Sequence, residues 1–398
     1  MLKRRDVLVG VLLLWLASLA TPLLTTRAAS APITIHPRVT YTFGEAITFE
    51  ARFEPADAVR EAVIFYRPQE QPETLHGPMT LKDDGSAFFV HDLAQVPLPP
   101  FVTVYYWFHL TLKDGSTYTS PSFTFQLEDN RFQWQHMSNP PFEVFWYQGD
   151  APFAQRILDA ADKGARRARE TWSAPWPEAV KIYVYANAQD MQSALHVENW
   201  VAGHASPTRG ALFITLADTP QQVAEIQRLV PHEIAHYLLY LQTGDNGYQN
   251  IPAWLNEGLA TITELTPNSD YDTTLQQAAA EHRLIPLTNL CRDFPHDASG
   301  ALLAYAEAAS FTQYLLHRYG RSPVHALLAA YTDGMDCNTG AERTLGKSLD
   351  ALDREWQAET LQIGRWSQAL QRLLPWLLLL GGLLLSLVIG AWLVLPKT

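Results

Sequence analysis

The run "RLVPHEIAHYLLYLQ", residues 228–242, sets His232, Glu233 and His236 into an otherwise apolar, helix-like stretch. Residues four apart lie on the same helix face about one turn from each other. Two imidazoles so placed can reach one zinc ion at about 2.0–2.1 Å from each nitrogen. Glu233 can lean over the same face and exchange a proton with a metal-bound water without ligating the metal itself. The pattern is short, and two structural histidines on a core helix also satisfy it.

The next segment, "WLNEGLA" at 254–260, puts Glu257 on a second helix beyond the loop "TGDNGYQNI". Folded back, it completes a set of two histidines and a carboxylate and leaves a fourth tetrahedral position for water. Leu229, Val230, Ile234, Ala235, Leu238 and Leu239 flank the motif. Burying Glu233 among them without a partner would be costly, and a metal-bound water is such a partner. The chemistry implied is hydrolysis: zinc-activated water attacks a polarised carbonyl, and Glu233 acts as general base. The developing oxyanion needs a further donor, but spacing alone selects none of the 16 tyrosines.

Elements must position these groups. "DAPFAQRILDAADKGARRARETW" reads as a helix with Asp150 as its cap and Gly164 weakening the buried face. "AVKIYVYA" and "GALFITLA" read as strands. If the second is a sheet edge, its free backbone groups can hold an extended peptide beside the metal. Pro231 either begins the motif helix or marks a break between two helices. His204, in "AGHASPTRG", is left outside the site. Residues 130–362 thus form an α+β domain.

Upstream, residues 32–127 carry short alternating segments such as "AITFEARF" and "VTVYYWFHLTL", separated by Asp-Gly turns. This is the pattern of a small all-β, immunoglobulin-like sandwich. It holds no catalytic or ligand spacing, and His91 and His109 read as structural or exposed.

The ends differ again. Lys3, Arg4 and Arg5 precede an apolar run and the small residues 28–31, the layout of a signal peptide at 1–30 or of an uncleaved anchor. From Leu373 to Pro396 no residue is charged. As a helix that run covers about 36 Å, so a transmembrane helix at 373–395 is expected. It would hold a large extracytoplasmic part at the cell membrane in single-pass topology, with the lipid bilayer as a partner. The two cysteines, Cys291 and Cys337, form one disulfide in an oxidising compartment or remain free thiols. The chain has 398 residues and a formal net charge of -12, with no basic cluster in its interior to track a phosphate backbone, which argues against nucleic acid.

"HEIAH" followed by "NEGLA" resembles the gluzincin zinc metallopeptidases, the thermolysin-like and M1 aminopeptidase-like core, and in particular the bacterial peptidase MA-like domains. The resemblance implies that His232, His236 and Glu257 bind one Zn2+ and that Glu233 is the general base. "YAEAASF" is similar to the helix on which M1-type enzymes carry a tyrosine that steadies the tetrahedral intermediate. This implies a catalytic role for Tyr305, with Ala308 standing where that group has glycine. The amino-terminus-gripping "GxMEN" motif is missing, and "SPTRGALFI" stands in its place. Endopeptidase action on a peptide or protein substrate, or peptidase action on an unusual substrate, therefore fits better than aminopeptidase action. A cell-surface binding or scaffold protein on an inactive peptidase fold is the alternative, and hydrolysis of another amide or ester is a third reading.

Overall fold

The computed structural model describes residues 33–69, 71–195 and 203–362, together with Leu373, Leu374, Trp376, Leu379 and Gly382. The chain divides into two compact units.

The first unit extends to Pro97 and includes Val104–Phe125. Its strands are β1 (Thr34–Thr42), β2 (Ala46–Glu54), β3 (Val59–Pro68), β4 (Leu75–Pro78), β5 (Thr80–Leu81) and β6 (Ser86–Asp92). They are followed by most of β7 (Val102–Leu112), by β8 (Thr117–Thr119) and by the start of β9 (Phe123–Leu127). One sheet has the order β1-β2-β6-β5 and the other β4-β3-β7-β8. Alternation decides which side chains enter the core. Val104, Tyr106, Phe108 and Leu110 are buried, while Tyr105 and Trp107 between them lie on the half-covered face. Phe49 of β2 meets Tyr66 of β3 and Tyr106 of β7 at 4.9 and 5.5 Å between ring centroids, so the two sheets share one aromatic core. His91 is structural: its Nδ1 lies 2.7 Å from the Tyr66 hydroxyl and its Nε2 2.8 Å from the Val96 carbonyl. His109 lies on the surface beside Thr119.

The second unit comprises residues 98–103 and the chain from Gln126. Its sheet is built from β10 (Gln135–Asn139), β11 (Phe142–Trp146), β12 (Val180–Tyr185), β13 (Gly203–Ser206) and β14 (Ala211–Thr215), in the order β10-β11-β12-β14-β13. The central three strands are parallel, and the two outer ones run antiparallel to their neighbours. The strand "ALFIT" is therefore not the edge, because the short β13 pairs along it and takes that place. Sequence reasoning passed over β13 because a four-residue strand with a glycine and a histidine carries little periodicity.

The helices are α1 (Ala151–Trp172), α2 (Ala188–Leu195), α3 (Gln222–Tyr248), α4 (Ala253–Thr263), α5 (Asp270–Ala280), α6 (Ala298–Tyr319), α7 (Arg321–Thr332), α8 (Cys337–Leu345) and α9 (Leu349–Thr360). Asp150 caps α1 by accepting the Phe153 N–H at 2.9 Å. Ile182 and Ile214 of the sheet are buried in one core with Ala154, Ile157 and Ala161 of α1 and Val230, Ile234 and Leu238 of α3. The crossing of α1 and α3 is close. A Cβ on Gly164 would meet Pro231 at 2.7–2.8 Å, so the glycine that weakens α1 locally is what admits α3. Cys291 and Cys337 form a disulfide joining the segment before α6 to the start of α8.

Membrane anchoring is corrected. Among the described residues no helix is long and apolar enough to cross a membrane. A span needs about 20 consecutive apolar residues in helix, and no described helix supplies that run. The expected fold class loses its transmembrane element, and the single-pass localisation, the membrane-anchored function and the bilayer as partner go with it. The segment 373–395, apart from the five positions named above, and the signal segment 1–30 lie outside the described residues.

One buried carboxyl gives this fold a pH dependence. Glu307 on α6 is fully buried, accepts the Ile285 N–H at 2.9 Å through Oε1, and leaves Oε2 without a hydrogen-bond partner. Burial pushes its pKa up from 4.5 to about 8. The folded chain then holds a proton that the unfolded chain has lost, so Glu307 makes stability fall as pH rises from about 4.5 to about 8. Glu307→Gln should remove that component. In thermal denaturation across this range, the variant's melting temperature should gain on the wild type as pH rises, and parallel curves would refute the assignment.

Candidate metal centre

The site begins with an anomaly in α3. Pro231 sits inside a continuous helix, neither at its start nor at a break. Proline has no N–H, so the carbonyl four residues earlier, on Gln227, loses its helical partner. That carbonyl accepts the Leu265 N–H at 2.9 Å instead, and the Gln227 Oε1 accepts the Thr266 hydroxyl at 2.6 Å. Two donors on α1 hold the end of α4 as well: Arg167 Nε to the Ile262 carbonyl (3.0 Å) and Trp172 Nε1 to Thr263 Oγ1 (3.2 Å). The end of α4 is thereby fixed against the helix that carries the histidines. Past the site α3 breaks at Gly244, whose φ of 70° and ψ of 175° are non-helical, and the chain turns into α4.

His232 and His236 are both buried, as is Glu233. Glu257 of α4 reaches them, with its Oε2 3.3 Å from His232 Nε2 and 3.5 Å from His236 Nε2. One donor atom from each of the three residues lies within 4.8 Å of the others. Glu257 Oε2 is buried and has no hydrogen-bond partner among the described residues. In a tetrahedron with bonds of about 2.0–2.1 Å, adjacent ligand atoms stand roughly 3.3–3.4 Å apart. The two carboxylate–imidazole separations are close to those edges, so the residues fit a single divalent ion of the zinc type.

The second nitrogen of each ring is occupied. His232 Nδ1 lies 3.1 Å from Glu264 Oε1, and His236 Nδ1 lies 3.0 Å from Asn256 Oδ1. Acceptors there keep the proton on Nδ1 and turn the Nε2 lone pair toward the common centre. Asn256 is steadied in turn by donating to the Tyr248 hydroxyl at 3.3 Å. Glu264 and Asn256 were not singled out from the sequence. The available signal was position: Asn256 precedes Glu257, and Glu264 lies seven residues beyond it, two helical turns along the same face.

Electrostatics bind the cluster together. Burial works against charge on His232, yet the neighbouring Glu257 and Glu264 carboxylates raise its pKa to about 10. His236 is raised too, by Glu257 against the same burial. Glu257 is held far below the usual carboxylate range by the two imidazoles despite its own burial. Glu233 goes the other way. Burial pushes its pKa up, and the imidazoles only partly offset this. Its carboxylate accepts the Ala205 N–H of edge strand β13. Gly203 on that strand has no room for a side chain, since a Cβ there would fall 2.3 Å from Glu233 Oε1. The glycine thus lets the sheet edge close onto the glutamate.

Tyr305 of α6 joins the group, with its ring 6.0 Å from that of His232 and T-shaped against Phe294 at 5.1 Å. Burial, and secondarily the charge of Glu257, keep its hydroxyl protonated. His204 stacks on Phe213 at 6.5 Å, with ring centroids on the side of β13 opposite in register to Gly203 and Ala205. The five residues expected at the site lie near one another, and His204 is near enough that the charge of His236, after burial and Arg209, helps to lower its pKa.

A helix bearing two imidazoles one turn apart, joined by a carboxylate from the helix that follows, is the zinc metallopeptidase fold of the gluzincin type. Residues 160–362, just over half of the chain, match the Peptidase MA superfamily, and the chain belongs to that superfamily. No curated protein matches it. Among solved structures, a mutant M1 zinc metallopeptidase from Deinococcus radiodurans is 13% identical; the match covers 81% of this chain and 92% of that one, with a TM-score of 0.32. An aminopeptidase N family protein from Idiomarina loihiensis is 7% identical, with 82% and 73% covered and a TM-score of 0.34. A purple acid phosphatase from yellow lupin seeds is 13% identical with a TM-score of 0.20; the match covers 46% of this chain and 35% of that one. Scores of this size assign no role to any residue here.

The support behind His232 is testable by metal binding alone. Glu264→Ala leaves all three ligands in place but removes the acceptor at Nδ1. Zinc affinity, measured by competition with a chromophoric chelator, should fall about 10–100-fold. An unchanged affinity would show that Glu264 does not orient the ring.

Proposed function

We propose that this chain is a zinc-dependent metallopeptidase that hydrolyses peptide bonds, with His232, His236 and Glu257 as ligands, Glu233 as general base and Tyr305 as oxyanion donor. The observation that carries the proposal is the convergence of two Nε2 atoms and one carboxylate oxygen at 3.3 and 3.5 Å, with both Nδ1 atoms held from behind. When bound, zinc supplies a Lewis acid that activates water and polarises the scissile carbonyl.

The chain's own groups supply the rest. His232, His236 and Glu257 fix the centre and leave one side open to the cleft. Glu233, its proton affinity raised by burial, takes a proton from the attacking water and returns it to the departing amine. The Ala205 N–H holds that carboxylate in place while Gly203 keeps the approach clear. Tyr305, protonated at all working pH values, donates to the oxygen on which negative charge develops. Strand β13, the edge of the sheet among the described residues, can pair with a substrate in extended form, which suits a peptide better than a compact small molecule.

The test is the purified chain loaded with zinc and assayed against an unstructured protein. Glu233→Gln should lower kcat by about 10²–10⁴-fold while zinc content stays at one ion per chain. Tyr305→Phe should lower kcat by about 10²–10³-fold, with a smaller change in KM. Full turnover by Glu233→Gln would defeat this mechanism.

A further inference from the structure

A cavity of about 390 Å³ opens beside the metal centre, sharing Asn256, Glu257 and Tyr305 with it. Its size falls in the range of ligand sites and accommodates one or two residues of a peptide. The far wall is the segment from Arg292 to His296, which follows the disulfide-bonded Cys291. This wall is anchored to the catalytic helices at three points. The disulfide ties Cys291 to Cys337, and the Trp254 indole N–H donates to Cys337 Sγ at 3.3 Å. The Cys291 carbonyl accepts the Ala253 N–H at 3.1 Å, at the start of the helix that carries Glu257. Phe294 packs on Tyr305.

Arg292 is the one lysine or arginine lining this cavity. It is exposed, and among the described residues it makes no hydrogen bond, ion pair or ring contact. Its guanidinium therefore keeps its donors free, in a fork whose geometry matches a carboxylate. The other charges facing the cavity are Glu257, committed to the imidazoles, and Asp293 and His296 on the same segment. Asp293 works against an anion, but its side chain has one methylene where arginine has three, so the cation has the longer reach.

We infer that Arg292 is a specificity-determining residue that draws a substrate carboxylate into this cavity, favouring peptides with an acidic side chain or a free C-terminus close to the bond that is cut. The inference rests on the peptidase reading above. It identifies the substrate class as anionic peptides although the chain itself carries a net charge of -12.

The test uses the full zinc-loaded chain and one peptide scaffold whose cleavage point is first located by mass spectrometry. Residues on both sides of that point are varied singly as Asp, Asn or Lys, each peptide being made with a free and with an amidated C-terminus. The Asp/Asn comparison reads a side-chain carboxylate, and the acid/amide comparison reads the terminal one. At least one should give a kcat/KM ratio of tenfold or more. Arg292→Gln should bring that ratio near one, Arg292→Glu should invert it toward Lys, and Asp293→Asn should raise it. Binding of the same peptides to Glu233→Gln, followed by fluorescence anisotropy, gives a readout independent of turnover. Tighter binding of the carboxylate peptides that is lost on adding Arg292→Gln supports the inference even without cleavage, in which case only the peptidase reading fails. Cleavage or binding with no carboxylate preference, or a preference that survives Arg292→Glu, overturns it.

Discussion

His232 Nδ1 lies 3.1 Å from Glu264 Oε1, and most of the catalytic unit can be understood as the means of keeping that pair together. An imidazole presents its second nitrogen to a metal in a defined direction only when the first is held. Glu264 is almost wholly buried, at 1% exposure, where an unpaired carboxylate would be expensive. It sits just past the end of α4, where the helix has run out of internal hydrogen bonds and outside partners must hold the chain. Gln227, Arg167 and Trp172 are those partners. The proline immediately before His232 thereby acquires a role: the carbonyl it leaves unpaired is the one that docks the residue after Glu264.

The same economy of small residues appears twice more. Gly164 lets α1 and α3 approach until backbone and proline ring touch, which brings the Arg167 and Trp172 donors to the end of α4. Gly203 lets the sheet edge close onto Glu233. In both places a side chain would force apart groups whose separation sets the chemistry. The cost, a weaker local preference for helix or strand, is met by the packing that the close approach allows.

Beyond the ligands one wall of the cleft is held by covalent and aromatic contacts rather than by regular structure. The segment after Cys291 has no helix or strand of its own, yet it is held by the disulfide, by the Ala253 N–H and by Phe294 on Tyr305. Such a wall can vary in sequence without disturbing the metal centre.

Helical spacing and two short motifs were enough to single out His232, Glu233, His236 and Glu257, because such spacing is local, whereas Tyr305 was marked only by the family resemblance. The sequence was also enough to mark the β-rich segment, whose alternation records one buried face. The outer partners Glu264 and Asn256, the edge role of β13, the clearance at Gly203 and the freed Gln227 carbonyl came only with the tertiary structure. Each is a contact between segments whose separate patterns carry no trace of the other. The apolar run near the C-terminus states by composition what that segment prefers to touch, whereas a span requires a continuous apolar helix, and none of the described helices is one. Short-range periodicity is written residue by residue, but the distance between two elements is set by everything packed around them.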